Sequence, residues 1–207
     1  MKIVVFDFDG TIANSFPWFL SRINHVAKVF RFNEVRPEDV PLLREMGVNE
    51  ILNHLGISSL KLPFIIFYLK WLMMRESHQI ELFPEVAGLL SSLHSRGIKI
   101  FILSSNSQKN VKLILKDKTA LVTKYYCGAG LKKKDSYFKK IKNHFPDAEL
   151  ISVGDEPRDL MAANKAGILH FNVSWGYASK KVFGQTDVID SFKGLEDRIL
   201  RQFNMKS

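Results

Sequence analysis

The stretch Lys2-Ile3-Val4-Val5-Phe6-Asp7-Phe8-Asp9-Gly10-Thr11 begins directly after Met1. Its apolar residues are β-branched or aromatic and form a run that is typical of a buried strand, which we place at residues 2–8. The run ends in Asp-Gly-Thr, the composition of a turn. Side chains two positions apart on an extended chain point the same way, so Asp7 and Asp9 can face one reacting group. The sequence therefore predicts a first strand that ends in a functional acidic turn.

A block of predicted helices follows this strand. Apolar residues recur at spacings of three and four from Phe16 to Phe30, which favours an amphipathic helix there. Two further helices are predicted at about residues 42–55 and 62–76. Since residues 14–80 contain no strand candidate, we expect residues 15–79 to form a small inserted α-helical unit.

Beyond residue 80 the chain alternates between helices and strands. Strands are predicted near residues 98–103, 125–127, 150–153, 168–173 and 188–189, and helices near 85–96, 111–116, 136–144 and 159–166. Such alternation indicates an α/β fold with a doubly wound parallel sheet. We expect residues 1–14 and 80–207 to form this core, with residues 15–79 inserted into it.

The amino-acid composition limits the classes of function and partner that the chain can have. The 207 residues are 46% hydrophobic, as in a globular protein, and the formal net charge is +9. Residues 116–142 hold nine Lys and two Asp, but no nucleic-acid motif or interleaved aromatic platform accompanies them, so we expect no nucleic-acid partner. The chain has a single cysteine and no secretory signal, which favours a cytoplasmic location. It has no apolar run long enough to span a bilayer, so we expect no membrane partner.

Polar residues follow several of the predicted strands. Ligands bind beyond the carboxyl ends of the strands in open α/β sheets, so these polar loops should converge. Asp carboxylates packed together would repel one another unless a cation joined them, and hard oxygen ligands select Mg²⁺. The converging loops contain Asp7, Asp9, Ser104, Ser105, Asn106, Lys132, Lys133, Lys134, Asp155 and Asp159.

The order of these groups carries a family resemblance. Asp7-Phe8-Asp9-Gly10-Thr11, a strand ending in Ser104, a lysine, and Gly154-Asp155-Glu156-Pro157-Arg158-Asp159 resemble the four motifs of the haloacid dehalogenase (HAD) superfamily. The similarity is greatest to its phosphoglycolate-phosphatase-like members. It implies a HAD-like Rossmannoid core with an α-helical cap at residues 15–79, and a Mg²⁺-dependent phosphatase that forms an aspartyl-phosphate intermediate.

The resemblance also implies roles for individual residues. Asp7 would be the nucleophile and a metal ligand. Asp9 would be the acid/base, with its backbone carbonyl on the metal. Asp155 would ligate Mg²⁺, with Asp159 behind it in the metal site. The phosphate-binding and turn-orienting groups would be Ser104 or Ser105, Lys134 or Lys133, Thr11 and Asn106. The usual Lys-Pro of the third motif is absent, and Lys134 is preferred because Phe138 and Ile141 then fall in register on the next helix.

Other interpretations stay open at this point. A phosphomutase would use the same groups but return the phosphoryl group to the substrate, and a non-catalytic HAD-fold protein would use the cap as a binding or regulatory surface. Solvated turns and helix caps explain each motif singly, but not all of them in this order. We expect a small phosphorylated metabolite as the partner, and a monomer or homodimer.

Overall fold

A computed structural model describes residues 1–128 and 134–205. Within these residues six strands form one sheet with the order β3-β2-β1-β4-β5-β6. Every neighbouring pair is parallel. The strands are β1 (Lys2–Phe6), β2 (Lys99–Ser104), β3 (Lys124–Cys127), β4 (Glu149–Gly154), β5 (Leu169–Val173) and β6 (Val188–Ile189).

The strand order reverses direction at the centre of the sheet. Strand β1 pairs with β2 on one side and with β4 on the other, so the connections leaving β1 and β4 run to opposite faces. A reversal of this kind opens a crevice at the carboxyl ends of the two strands. The predicted doubly wound parallel sheet is confirmed, and its crevice lies where Asp7 and Asp155 follow their strands.

Helices lie along the chain between and beyond the strands. They are α1 (Phe16–Phe30), α2 (Val40–Leu43), α3 (Val48–His54), α4 (Leu62–Arg75), α5 (Val86–Ser95), α6 (Gln108–Leu115), α7 (Lys134–His144), α8 (Pro157–Lys165) and α9 (Phe192–Gln202). Alternate residues of β1 serve opposite faces of the sheet: Ile3 and Val5 are buried in one apolar cluster, and Val4 and Phe6 in another. Both faces are therefore covered, as the unbroken apolar run of β1 requires.

The helices α1 to α4 form the block that interrupts the sheet. Helices α1 to α3 share a small apolar cluster around Ile23, Val35 and Leu55, whereas Ile65, Leu72 and Met73 of α4 pack in the large cluster on one face of the sheet. The chain leaves and re-enters the sheet region at one place, since Asn14 N donates to Glu81 O at 2.8 Å. An inserted helical cap on an α/β core is thus confirmed, whereas the exact division at residues 15–79 stays a prediction.

Several details differ from the sequence-based expectation. Strand β1 ends at Phe6 and not at Phe8, because Phe8 O accepts hydrogen bonds from Ile12 N and Ala13 N in the turn, both at 2.9 Å. The single helix expected over residues 42–55 is divided into α2 and α3, because the extended backbone of Gly47 starts a new helix whose Glu50 Oε2 accepts from Gly47 N at 2.7 Å. Helix α9 was not predicted, although Ser191 caps it by accepting from Gly194 N at 3.1 Å. None of the helices in residues 1–128 and 134–205 combines the length and apolarity needed to cross a membrane.

Candidate active site

Asp7 lies one residue beyond β1, in the crevice of the sheet. Its backbone N–H donates to Val153 O at 2.8 Å, which holds it against β4. Its Oδ1 accepts a hydrogen bond from Phe8 N at 2.8 Å, and the side chain is only 6% exposed. The carboxylate is therefore fixed by the sheet on one side and by its own turn on the other.

Lys134 brings a buried positive charge to Asp7. It begins α7, and its Nζ lies 2.9 Å from Asp7 Oδ2 and 2.5 Å from Asp159 Oδ1. Burial alone would lower the pKa of Lys134, but the two carboxylates together raise it above its ordinary value. The lysine is thus charged throughout the physiological range. The alternative Lys133, like Lys132, falls outside the described residues.

Asp155 follows β4 directly and is fully buried. Its Oδ1 accepts from Thr11 Oγ1 at 2.7 Å, and its Oδ2 accepts from Tyr177 N at 2.7 Å. A side chain at Gly10 or Gly176 would overlap the Asp155 carboxylate, and the positive φ of Gly10 (80°) also favours glycine. Thr11 therefore fixes the Asp155 carboxylate, and the same hydrogen bond orients the turn on which Thr11 lies.

Asp9 lines a small cavity beside the turn, together with Ser105 and Asn106. Its Oδ2 accepts from Asn106 Nδ2 at 3.2 Å, while its buried Oδ1 has no hydrogen-bond partner among the described residues. Burial raises the pKa of Asp9 above its ordinary value, against the lowering effect of Ser15 and Asn106. A carboxyl group with a raised pKa and a free oxygen is suited to hold and transfer a proton.

The two serines after β2 differ in their surroundings. Ser104 is fully buried, and its Oγ accepts from Asn106 N at 3.0 Å. Ser105 is partly exposed and lines a cavity of about 190 Å³ together with Asp9 and Asn106. This placement favours Ser105 as the residue that contacts a bound ligand, with Ser104 fixing the loop beneath it.

The carboxylates form a cluster that fits a divalent metal ion. Asp7, Asp155 and Asp159 each offer an oxygen, and these atoms lie within 4.8 Å of one another. Burial, assisted by Asp159, raises the pKa of Asp7 to about 7, and burial together with Glu156 and Asp7 raises that of Asp155. A divalent cation would favour the ionised forms, and hard carboxylate oxygens suit such an ion.

Asp159 and Asp9, which the sequence analysis also assigned to the metal site, differ from Asp7 and Asp155 in their surroundings. Asp159 Oδ1 is bonded to Lys134, and its Oδ2 accepts from Glu156 N at 3.3 Å, so its oxygens already have partners in the protein. The Asp9 side chain lies outside the cluster. The expected metal contact through its backbone carbonyl stays a prediction.

Other residues also reach the site, and of these Arg158 and Lys70 were not among the sequence-based candidates. Tyr177 N bonds Asp155, and its hydroxyl lies 3.1 Å from Ser15 Oγ. Arg158 and Lys70 line the same small cavity as Asp9. The sequence gives Arg158 a signal, because it stands between Asp155 and Asp159, but nothing local distinguishes Lys70 from the other lysines.

The helical cap touches the loop that holds Asp155. Arg44, just beyond α2, donates from Nε to Tyr177 O at 3.0 Å and from Nη2 to Gly176 O at 2.9 Å. Between cap and core lies a cavity of about 1770 Å³, whose lining is mostly apolar and includes Arg158 and Lys134. The site is therefore built from the strand ends and covered by the cap.

Comparisons with known proteins agree with this geometry. The family model described as haloacid dehalogenase-like hydrolase matches residues 4–173. A phosphoglycolate phosphatase of Synechococcus elongatus is 28% identical over 185 residues, which cover 87% of each chain. A phosphoglycolate phosphatase of Aquifex aeolicus is 25% identical over 186 residues, which cover 86% of each chain.

A solved structure has the same fold. The crystal structure of a predicted phosphatase from Clostridium acetobutylicum superposes with a TM-score of 0.80 over 97% of this chain and 98% of the other, at 17% identity. The likeness to that structure concerns the fold alone.

Removing the charge of Asp7 is expected to stabilise the metal-free protein above neutral pH. The folded pKa of about 7 lies above the ordinary 3.8, so ionisation of Asp7 disfavours folding as the pH rises between these values. Metal-free Asp7→Asn should therefore unfold at higher urea concentration than the wild type at pH 8. The gain in unfolding free energy should be on the order of a few kcal/mol, because a tenfold change in the ionisation constant corresponds to about 1.4 kcal/mol. The gain should vanish near pH 4.

Added Mg²⁺ provides the control for that measurement. A ligand that binds only the folded protein stabilises it, so Mg²⁺ should raise the unfolding midpoint of the wild type and have little effect on Asp7→Asn. A metal-free Asp7→Asn protein that is less stable than the wild type at pH 8 would contradict the raised pKa.

Proposed function

The chain belongs to the haloacid dehalogenase-like hydrolase family and is a phosphatase of the phosphoglycolate-phosphatase-like kind, and on that premise we propose how it works. It hydrolyses a phosphate monoester of a small metabolite, requires Mg²⁺, and forms an aspartyl-phosphate on Asp7. Phosphoglycolate, which the relatives' names specify, is the first substrate to test.

One observation carries this proposal. Asp7 stands within 4.8 Å of two other buried carboxylates, and a buried lysine bridges it to Asp159. A solvated turn would leave these groups in water, and a single structural ion pair would not need a third buried carboxylate beside it. The cluster is the arrangement that a metal-assisted phosphoryl transfer to a carboxylate requires.

In the first step Asp7 attacks the phosphorus atom. A bond forms between an Asp7 oxygen and phosphorus, and the bond from phosphorus to the leaving oxygen breaks. Asp9 holds a proton on the free Oδ1, as its raised pKa favours, and gives it to the leaving oxygen. The alcohol departs neutral, and Asp9 is left as a carboxylate.

In the second step the phosphoryl group passes from Asp7 to water. The Asp9 carboxylate takes a proton from a water molecule as its oxygen attacks phosphorus, and the bond to Asp7 breaks. Asp7 returns as a carboxylate, inorganic phosphate leaves, and Asp9 is again protonated. One acid/base residue thus serves both steps, since the water takes the place of the departed alcohol.

Several groups support these two steps. Bound Mg²⁺ would neutralise phosphoryl oxygens and would be held by Asp7, Asp155 and the Asp9 carbonyl, with Asp159 behind them. Lys134 keeps Asp7 oriented and adds positive charge next to the transferred group. Ser105 donates to a phosphoryl oxygen, since it makes no hydrogen bond within the described residues and lines the cavity.

The remaining predicted groups act through their neighbours. Thr11 holds Asp155, Asn106 holds Asp9, and Ser104 fixes the loop that presents Ser105. We also propose residues 15–79 as a cap that excludes water and selects the leaving group. The packing of α1 to α3 around a cluster of their own supports this division, and α4, which packs into the large apolar cluster of the core, joins the two units.

Metal removal should abolish activity. Phosphate release should require Mg²⁺ and stop in excess EDTA, because the crowded carboxylates need a cation to remain ionised. Asp155→Asn removes one charge from a fully buried position and should lower activity about 100-fold or more at limiting Mg²⁺. The exposed Asp147→Asn is the matched control and should match the wild type. Full activity in metal-free buffer would overturn the proposal.

Substitutions of Asp7 and Asp9 should separate the two steps. Asp7→Asn should release no nitrophenol from p-nitrophenyl phosphate, because an amide is a poor nucleophile. Asp9→Asn should release a burst of up to one equivalent, because nitrophenolate leaves without a proton. Steady-state turnover should then be slower by about 10²- to 10⁴-fold, since water attack still needs the base. Near-normal steady-state turnover in Asp9→Asn would reassign the acid/base, and free phosphate as product excludes a mutase.

Substitution of the two serines by alanine should have different effects: one should lower activity and the other stability. Ser105→Ala removes a donor to a charged group and should lower kcat/KM by about 10- to 100-fold without a change in Tm. Ser104→Ala removes the buried acceptor of Asn106 N and should lower stability by about 1–3 kcal/mol, with a smaller effect on kcat/KM. The reverse pattern would return the phosphoryl contact to Ser104.

A further inference from the structure

Helix α4 of the cap is apolar on every side. Of its 14 residues only Lys70 and Arg75 carry a charge. Ile65, Leu72 and Met73 are buried in the large apolar cluster of the core, which accounts for one side of the helix. A helix that is apolar all round is normally covered all round. The outer side of α4 therefore requires an explanation.

Aromatic side chains project from this outer side into solvent. Phe64 is 67% exposed, Phe67 is 73% exposed and Trp71 is 37% exposed. They stand three and four residues apart, so they lie in one row along the helix, which we call the aromatic stripe. Single exposed apolar residues are common on protein surfaces, whereas a contiguous apolar patch marks an interaction site. None of the three lines either cavity of the candidate active site.

Positive charge lies at both ends of the aromatic stripe. Lys61 is exposed and precedes the first residue of α4, and Arg75 ends the helix with its guanidinium carbon 4.9 Å from the centre of the Trp71 ring. Residues 51–75 contain two Lys and one Arg but neither Asp nor Glu. The neighbouring α6, which contacts α4 through a hydrogen bond to its backbone, contains two further lysines and no acid. The surroundings of the stripe are therefore basic.

This charge distinguishes between the possible occupants of the stripe. In a two-fold symmetric dimer the stripe of one chain would meet the same stripe of the other, and their basic residues would approach one another. Like charges brought together in this way oppose association, whereas an anionic partner is attracted by the same residues. Aromatic side chains next to Lys and Arg are the composition of helices that lie in the interface of an anionic membrane. A lipid interface also accepts projecting rings without a complementary pocket.

We propose that the aromatic stripe of α4 binds the surface of an anionic lipid bilayer. Its rings enter the headgroup region, and Lys61 and Arg75 pair with lipid phosphate groups. Surface binding needs no helix that crosses the bilayer, so it differs from the membrane partner that the length of the apolar runs argued against. The inference goes beyond the proposed phosphatase function and does not depend on it.

Co-sedimentation with vesicles tests the proposal. The wild type should bind mixed vesicles of phosphatidylglycerol and phosphatidylcholine about tenfold or more tightly than vesicles of phosphatidylcholine alone, because each basic residue near an anionic surface contributes about fivefold. The double variant Phe64→Gln, Phe67→Gln should bind the mixed vesicles about 10- to 100-fold more weakly, because two large apolar side chains no longer leave water. Its Tm should match that of the wild type, since both side chains are mostly exposed and Gln favours a helix.

Charge variants and matched controls complete the binding series. Lys61→Gln and Arg75→Gln should each weaken binding to the mixed vesicles about fivefold and leave binding to phosphatidylcholine unchanged. Leu169→Gln and Lys99→Gln change exposed residues at the amino ends of β5 and β2, at the edge of the sheet opposite the site. Both controls should bind like the wild type.

Tryptophan fluorescence locates the contact on the protein. Trp18 and Trp175 donate hydrogen bonds to other residues of the protein, at 2.8 Å and 3.2 Å, whereas Trp71 lies on the aromatic stripe. Mixed vesicles should shift the emission of the wild type to shorter wavelength, because the Trp71 indole leaves water. Trp71→Phe should abolish this shift and still sediment with the vesicles.

Three outcomes would overturn the proposal. Failure of the wild type to bind the mixed vesicles would exclude lipid and leave an acidic protein surface as the occupant of the stripe. Equal binding of the wild type and the Phe64→Gln, Phe67→Gln variant would show that the stripe is not the contact. A wild-type dimer in light scattering that this double variant converts to a monomer would assign the stripe to a second copy of the chain.

Discussion

Mutual repulsion among buried carboxylates is the constraint on which the site depends. Asp7, Asp155 and Asp159 are each at most 6% exposed, so water cannot screen their charges. Such a group of acids persists only if neighbouring groups supply positive charge and hydrogen-bond donors. The protein supplies Lys134, the Thr11 hydroxyl and the Tyr177 N–H. The raised pKa values of Asp7 and Asp155 indicate that these contacts are insufficient without a cation.

This constraint also explains the glycines and the loops around the site. Gly10 and Gly176 pack against the Asp155 carboxylate from two separate turns, where any side chain would overlap it. Arg44 of the cap holds the Gly176 loop through hydrogen bonds to two backbone carbonyl groups. The contacts that hold the Asp155 carboxylate in place therefore extend into the cap. A rearrangement of the cap would change the contacts of the loop that holds Asp155.

The sequence predicted those parts of the site that are fixed by local order along the chain. The strand, the acidic turn and the Gly154-Asp155 motif are contiguous, so periodicity and turn chemistry reveal them. The preference for Lys134 over Lys133 rests on its register with Phe138 and Ile141, and Lys134 Nζ lies within ion-pair distance of both Asp7 and Asp159. The choice between Ser104 and Ser105 depends on where β2 ends, and a shift of one residue reverses which side chain is buried. Lys70 and Tyr177 approach the site only through tertiary packing.

The residues proposed for phosphoryl transfer and those proposed for substrate selection lie on different parts of the fold. The groups assigned to phosphoryl transfer follow β1, β2 and β4 or begin α7 and α8, and the parallel sheet fixes the positions of these strand ends relative to one another. Lys70 lies on α4, and its backbone carbonyl accepts from Asn110 Nδ2 of α6 at 2.9 Å, so α4 packs against the core. A substitution on the face of α4 that lines the small cavity can still alter which leaving group is held, because Asp7 and Lys134 are positioned by the sheet and by α7. Arg158 belongs to the core and lines the same small cavity as Lys70, so this cavity is complete only when cap and core lie together. Recognition of the leaving group would then be coupled to closure over Asp9, where exclusion of water favours proton transfer to the leaving oxygen.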